Sequence, residues 1–254
     1  MKRLAYKMKT KEALRIGLIV LQSDERIELD FRRLIPGEVE LFVSRVPSGL
    51  DVTPETLQEM DQHLPQAASL LPQVRPYAAV GYGCTSGAAQ IGPSQVAAQV
   101  RTGVAANAVS EPVSALVAAC SELGLKRLAF LSPYVENVSD RLRDVLAGQG
   151  IETPVFGTFA EAEEARVARI TPESIKKAAL ELVREGGVDG VFLSCTNLDT
   201  LDIIAPLQGE CGLTVLSSNL VLAWHLCRLA GVDMAEIPAS QTLLAGEAAM
   251  TAAE

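Results

Sequence analysis

Seven short apolar runs constrain this chain more than any other feature: "RIGLIV" from Arg15, "VELFVSRV" from Val39, "YAAVGYGC" from Tyr77, "RLAFLSP" from Arg127, "TPVFGTF" from Thr153, "GVFLSC" from Gly190 and "LTVLSS" from Leu213. A strand with one wet face alternates apolar and polar residues, whereas a strand covered on both faces does not. These runs scarcely alternate. The segments between them read as helices with marked ends. Thr53-Pro54-Glu55 and Thr171-Pro172-Glu173 each place a cap, a first-turn proline and an acidic first turn in order. "PVSALVAACSELG" carries apolar residues at helical spacing and stops at Gly124. Strand and helix in alternation predict an α/β protein with parallel sheets.

The order of elements repeats. Cys84 follows Val20, at the end of the first run, by 64 residues, and Cys195 follows Ser132 by 63. Each interval reads strand, loop, helix, strand, helix, strand, then Cys-Thr. The chain is therefore expected to form two similar halves. One covers residues 1–108 and is completed by the C-terminal helix over 217–254; the other covers 109–216. Ligands of open parallel sheets bind at the carboxyl ends of the strands. Two such edges face to face would make a cleft with one thiol on each wall.

Charge and composition exclude several classes. The formal net charge of -9 argues against a nucleic-acid partner, because phosphate binding needs a basic surface. No apolar stretch reaches the length of a membrane span. The basic N-terminus lacks a signal-peptide core and cleavage site, so a cytoplasmic location is expected. Five cysteines at irregular spacing are not a disulfide framework, and no CxxC or HxxxH spacing suggests a metal. The two histidines, His63 and His225, lie far apart. Cys120 reads as core, Cys211 as a loop residue, and Cys227 as part of a packed helix with Trp224 and His225. Ser217, Ser218 and Asn219 read as caps of that helix, whose donors could also face the cleft.

A thiol becomes reactive as its thiolate, and a helix N-terminus favours that anion. "GCTSGAAQIG" adds small residues and the hydroxyls of Thr85 and Ser86; "SCTNLDT" adds Thr196 and Asn197 in matching places. Such donors can hold a carboxylate or a developing enolate between two sulfurs, one taking a proton or adding to carbon while the other delivers a proton from the opposite side. The competing reading is packing, since a free cysteine is among the most buried residue types. The pair at matching repeat positions favours chemistry.

"GYGCTSG", "SPYVENVSDRLR", "ARVARITPESI", "FLSCTNLDTLDII" and "LSSNLVLAWHLCRLAG" together resemble the maleate cis-trans isomerase branch of the aspartate/glutamate racemase superfamily, in particular its ectoine-utilisation isomerase-like members. The resemblance runs from about Arg15 to Gly231. It implies two Rossmann-like, flavodoxin-like halves related by a pseudo-twofold axis, a site between them, no metal, pyridoxal or nucleotide cofactor, and a homodimer or larger homo-oligomer. It implies Cys84 as nucleophile or base, Cys195 as opposing acid, and Tyr134 as a donor to a substrate carboxylate; Tyr134 could instead anchor its loop, but its place after a strand end favours the ligand role. Ser132 and Val135 could add donors there.

Two departures bear on the substrate. Where the isomerases carry a carboxylate-binding asparagine after the first strand, "LQSDER" places Asp24, and a second such asparagine falls on Glu164. A carboxylate repels another carboxylate but suits an ammonium or amide N–H. Asp24 could instead cap the following helix. The expected activity is a cofactor-independent isomerase, racemase or maleate-type, acting on a small carboxylate or an amino-acid-derived substrate. The alternatives are an arylmalonate-type decarboxylase, whose resemblance implies loss of the first cysteine, and a non-catalytic ligand-binding protein.

Overall fold

The structure, a computed structural model, describes residues 1–8, 10 and 12–232. In the first half, β1 (Arg15–Leu21), α1 (Ile27–Leu34), β2 (Glu40–Val46), α2 (Pro54–Ser69), β3 (Tyr77–Gly83), α3 (Thr85–Ile91), α4 (Pro93–Gly103), β4 (Ala106–Ser110) and α5 (Pro112–Leu123) follow one another. The second half repeats the plan with β5 (Arg127–Tyr134), α6 (Glu136–Gly148), β6 (Glu152–Glu161), α7 (Glu164–Val167), α8 (Pro172–Val183), β7 (Gly190–Leu193), α9 (Ile204–Cys211), β8 (Thr214–Ser217) and α10 (Ser218–Ala230). The sheets are wholly parallel and share one order, β2-β1-β3-β4 and β6-β5-β7-β8. The expected pair of α/β halves is what the chain forms.

The seven apolar runs all become strands. Every residue of β1 and β7 is buried, because helices cover both faces of these inner strands. The helix signals hold as well. Thr53 and Thr171 accept hydrogen bonds from Thr56 and Ser174 N–H, and α5 ends at Gly124 in the left-handed region with φ 68°. An eighth strand, β4, was not expected. "ANAVS" is five residues long, carries an asparagine and lies at the sheet edge, so it shows no continuous apolar run. It carries the first sheet to Ser110, two residues past the boundary expected at 108.

α10 packs on β3, β4 and α1 of the first half and on α5. The expected extension of this helix through 254 falls on residues 233–254, outside the described residues. Cys120 and Cys227 are buried in their helices, whereas Cys211 closes α9 instead of lying in a loop. No helix among the described residues is long and apolar enough to cross a membrane.

One connection between the halves bears directly on the site. Residues 50–52 pair with 162–164: Val52 N–H donates to the Ala162 carbonyl at 2.9 Å and Glu164 N–H to the Leu50 carbonyl at 3.2 Å, around an antiparallel bridge between Asp51 and Glu163. The entry to α7 is thereby tied to the loop before α2.

Candidate active site

Cys84 follows β3 and Cys195 lies just beyond β7, the equivalent third strands of the two halves. Cys84 is the N-cap of α3, where its Sγ accepts the Gly87 N–H at 3.2 Å. Gly87 is required there: a Cβ would sit 2.5 Å from the Tyr82 hydroxyl and 2.9 Å from Cys84 Sγ. Cys195 differs. It precedes a turn instead of a helix, and its backbone adopts φ 133°, a region where a side chain is strained by about 1–3 kcal/mol. Its Sγ accepts the Asn197 N–H at 3.2 Å and lies 3.0 Å from the Tyr134 hydroxyl.

Ser218, the first residue of α10, joins the two cysteine loops. Its Oγ accepts from the Thr85 hydroxyl at 2.8 Å and from the Cys195 N–H at 3.0 Å. Thr196 makes a second link: its hydroxyl donates to Asp24 Oδ2 at 2.9 Å and approaches the Gly83 carbonyl at 3.3 Å. Ser218 and Thr196 thus hold the loops after β3 and β7 together. Asn219 adds to this seam, its Nδ2 donating to the Thr196 carbonyl and to Asp30 Oδ2, both at 2.8 Å.

The remaining expected residues fall into the same cluster. Tyr134 donates to Glu164 Oε1 at 2.8 Å, and Asn197 Nδ2 donates to Glu164 Oε2 at 2.9 Å. Asn197 Oδ1 accepts the Glu25 N–H at 2.9 Å. Asp24 Oδ1 accepts the N–H groups of Arg26 and Ile27 at 2.7 and 2.8 Å, so both of its oxygens are engaged inside the protein, one holding the first turn of α1. Ser86 is buried in the first turn of α3 but makes none of these bonds. Ser132 Oγ accepts the Tyr134 N–H at 3.2 Å and the Ser139 hydroxyl at 2.8 Å, fixing the end of β5.

Burial dominates the electrostatics. Cys84 and Cys195 are 5% and 3% exposed. Desolvation pushes the Cys84 thiol up to about 12 despite the Gly87 N–H, and pushes Cys195 well above its ordinary value. The carboxylates of Glu164 and Asp24 raise both thiols further. The lowering expected from a helix N-terminus is therefore overridden: one or two N–H donors do not replace the water that burial removes. Desolvation likewise raises Asp24 and Glu164 above the usual carboxylate range. Among the described residues, no group of three or more His, Cys, Asp or Glu is placed to hold a metal ion.

The Glu164 shift has a measurable consequence. A raised folded-state pKa means that the folded chain binds this proton more tightly than the unfolded chain. The associated stability is fully present below the ordinary value of 4.5 and is lost as pH rises through the raised one. Glutamine carries no such charge. The melting temperature of Glu164→Gln relative to the natural chain is expected to climb as pH rises from the ordinary value of 4.5 through the raised one. A flat or falling difference would contradict the burial argument.

Two parallel-sheet halves of identical strand order define a two-lobed α/β protein, with a cysteine after the third strand of each half. The chain belongs to the arylmalonate decarboxylase (Amdase) family, which matches residues 94–243, within the Asp/Glu racemase-like superfamily. It is 30% identical over 225 residues to an arylmalonate decarboxylase from Bordetella bronchiseptica, covering 85% of this chain and 90% of that one. It is 27% identical over 247 residues to a maleate isomerase from Alcaligenes faecalis, covering 91% and 96%. Among solved structures, the maleate isomerase Iso from Pseudomonas putida S16 matches with a TM-score of 0.79 at 20% identity, over 90% of this chain and 96% of that one. A mutant of the Nocardia farcinica maleate cis-trans isomerase, with a covalently bound succinylcysteine intermediate, matches with a TM-score of 0.78 at 24% identity, over 91% and 98%. At these identities the structural likenesses carry the fold.

Proposed function

We propose that this chain is a cofactor-independent isomerase that acts on a small carboxylate through Cys84 and Cys195. The observation that carries the reading is the pairing itself: equivalent positions of the two halves each present a thiol, and Ser218 and Thr196 hold the two cysteine loops together. In a racemisation, one thiolate removes the α-proton and the opposite thiol supplies another. In a cis-trans isomerisation, the Cys84 thiolate adds to one alkene carbon and the Cys195 thiol protonates the other, allowing rotation before elimination. Thr85, Ser86, Thr196 and Asn197 are the proposed donors to the substrate, which takes the place of the internal acceptors described above, while Tyr134 keeps its hydrogen on Glu164. The maleate isomerase relatives favour maleate, and the two buried carboxylates favour an amino-acid-derived substrate whose ammonium or N–H offsets their charge. The reading extends to a cytoplasmic homo-oligomer in ectoine catabolism, with α10 completing the N-terminal half.

The test is incubation with maleate, amino acids and N-acyl amino acids in heavy water. Deuterium at the α-carbon identifies racemisation, and fumarate from maleate identifies cis-trans isomerisation. The family match and the Bordetella relative favour decarboxylation as a second reading, for which carbon dioxide from an arylmalonate is the readout. A chain inert to the whole panel would overturn both.

A further inference from the structure

Tyr134 stands between a thiol and a carboxylate, 3.0 Å from Cys195 Sγ and 2.8 Å from Glu164 Oε1. A phenol has one hydrogen, and a carboxylate only accepts. That hydrogen therefore points at Glu164, and the phenol oxygen is left to accept from the Cys195 thiol. Thiol, phenol and carboxylate are chained donor to acceptor, and all three side chains are buried. The carboxylate is also fixed in place. Asn197 Nδ2 holds its second oxygen, and the Glu164 N–H is bonded to the Leu50 carbonyl.

We propose that Glu164 is the proton acceptor of Cys195, reached through the Tyr134 hydroxyl. In the direction that arms the thiol, the Cys195 S–H bond breaks as an O–H bond forms at Tyr134. At the same time the original Tyr134 O–H bond breaks and its proton binds Glu164 Oε1. The products are a Cys195 thiolate, a neutral phenol and a neutral carboxylic acid; net charge is unchanged and no co-reactant is needed. The reverse transfer, from Glu164 Oε1 through Tyr134 to Cys195, returns the armed thiolate to the resting thiol. The relay rests on the reading of Cys195 as an acid–base group.

The electrostatic surroundings give the relay its reason. A thiolate formed by losing its proton to solvent would add a charge to a buried site that already faces Glu164 and Asp24. Shifting the proton to Glu164 relocates one charge instead of adding another. The largest influences on Glu164 are Asn197, Tyr134 and Asp24; those on Cys195 are Glu164, Tyr134, Asn197 and Asp24; and those on Tyr134 are Cys195, Glu164 and Cys84.

The experiment is the pH dependence of Cys195 alkylation by iodoacetamide on the full chain, read on the Cys195 peptide by mass spectrometry, without substrate. In the natural chain the rate is expected to rise with Glu164 ionisation, hold a plateau above it, and rise again in alkali. Glu164→Gln should lose the plateau, and Tyr134→Phe, which removes the phenol donor to the thiolate, should lower it about tenfold or more. Each should lower kcat about 100-fold with KM within about threefold, and the double variant should fall no further than the singles. Tyr134→Phe keeps the test open if Glu164→Gln fails to fold. A plateau that survives Glu164→Gln or keeps its height in Tyr134→Phe, or a double variant whose losses multiply, would overturn the relay. A chain inert to every substrate that nevertheless shows the plateau would overturn the isomerase reading and leave the relay standing.

Discussion

Cys84→Ala is expected to reduce turnover by about 1000-fold or more, and Cys195→Ala by about 100- to 10,000-fold, on whichever substrate the natural chain converts. The reason is the division of labour. A two-sided proton transfer or an addition–protonation sequence needs a reacting group on each side of the substrate carbon, and alanine supplies none. Folding should be nearly intact. Cys84 and Cys195 are small buried side chains, so losing one sulfur costs less than about 2 kcal/mol against a total stability of about 5–15 kcal/mol. Steady-state kinetics and thermal melts on the same preparations check both halves of the statement. Turnover within tenfold of the natural chain in either variant would remove the two-thiol mechanism.

Asp24 should separate structural from substrate roles. Its carboxylate accepts three hydrogen bonds, from two backbone N–H groups and from Thr196, and it is 3% exposed. Asp24→Ala leaves those donors without their acceptor in a buried place, a loss of about 3–5 kcal/mol at about 1–3 kcal/mol per orphaned group, less what the chain recovers by relaxing. That is enough to unfold a marginal protein. Asp24→Asn keeps the Oδ1 acceptor for Arg26 and Ile27. Its new amide can donate to Thr196, whose own proton then turns to the Gly83 carbonyl 3.3 Å away. Its cost should stay below about 1 kcal/mol, partly offset because no charge is buried. Denaturant melts of the two variants measure this split. The asparagine variant also reports on substrate choice: a shift towards dicarboxylates means that Asp24 acts on the ligand through its charge, and unchanged specificity leaves it with the turn it holds.

How far the residue order could be read depended on the range of the interaction. Thr53, Thr171 and Gly124 announce helix ends because caps and left-handed stops are settled within a few residues. The inner strands are equally plain, since burial on both faces leaves an unbroken apolar run. β4 escaped because an edge strand needs neither length nor continuous hydrophobicity once a neighbour supplies its hydrogen bonds. Ser218 reads as a cap residue, and nothing local signals that its hydroxyl receives both Thr85 and Cys195. Glu164 and Tyr134 are 30 residues apart, and their contact accompanies the pairing of residues 162–164 with the loop at 50–52.

Residue order alone set out the repeated α/β plan, the two Cys-Thr junctions at matching places and the family resemblance, because periodicity, capping and spacing are local or additive properties of a chain. Folding was needed to bring Asp24, Tyr134, Glu164 and Asn197 into one hydrogen-bonded cluster with the Cys195 loop and to fix the sign of their pKa shifts. Those shifts come from the removal of water and from neighbours distant in the chain. In the assembled site, desolvation outweighs the few N–H donors that the local pattern supplies.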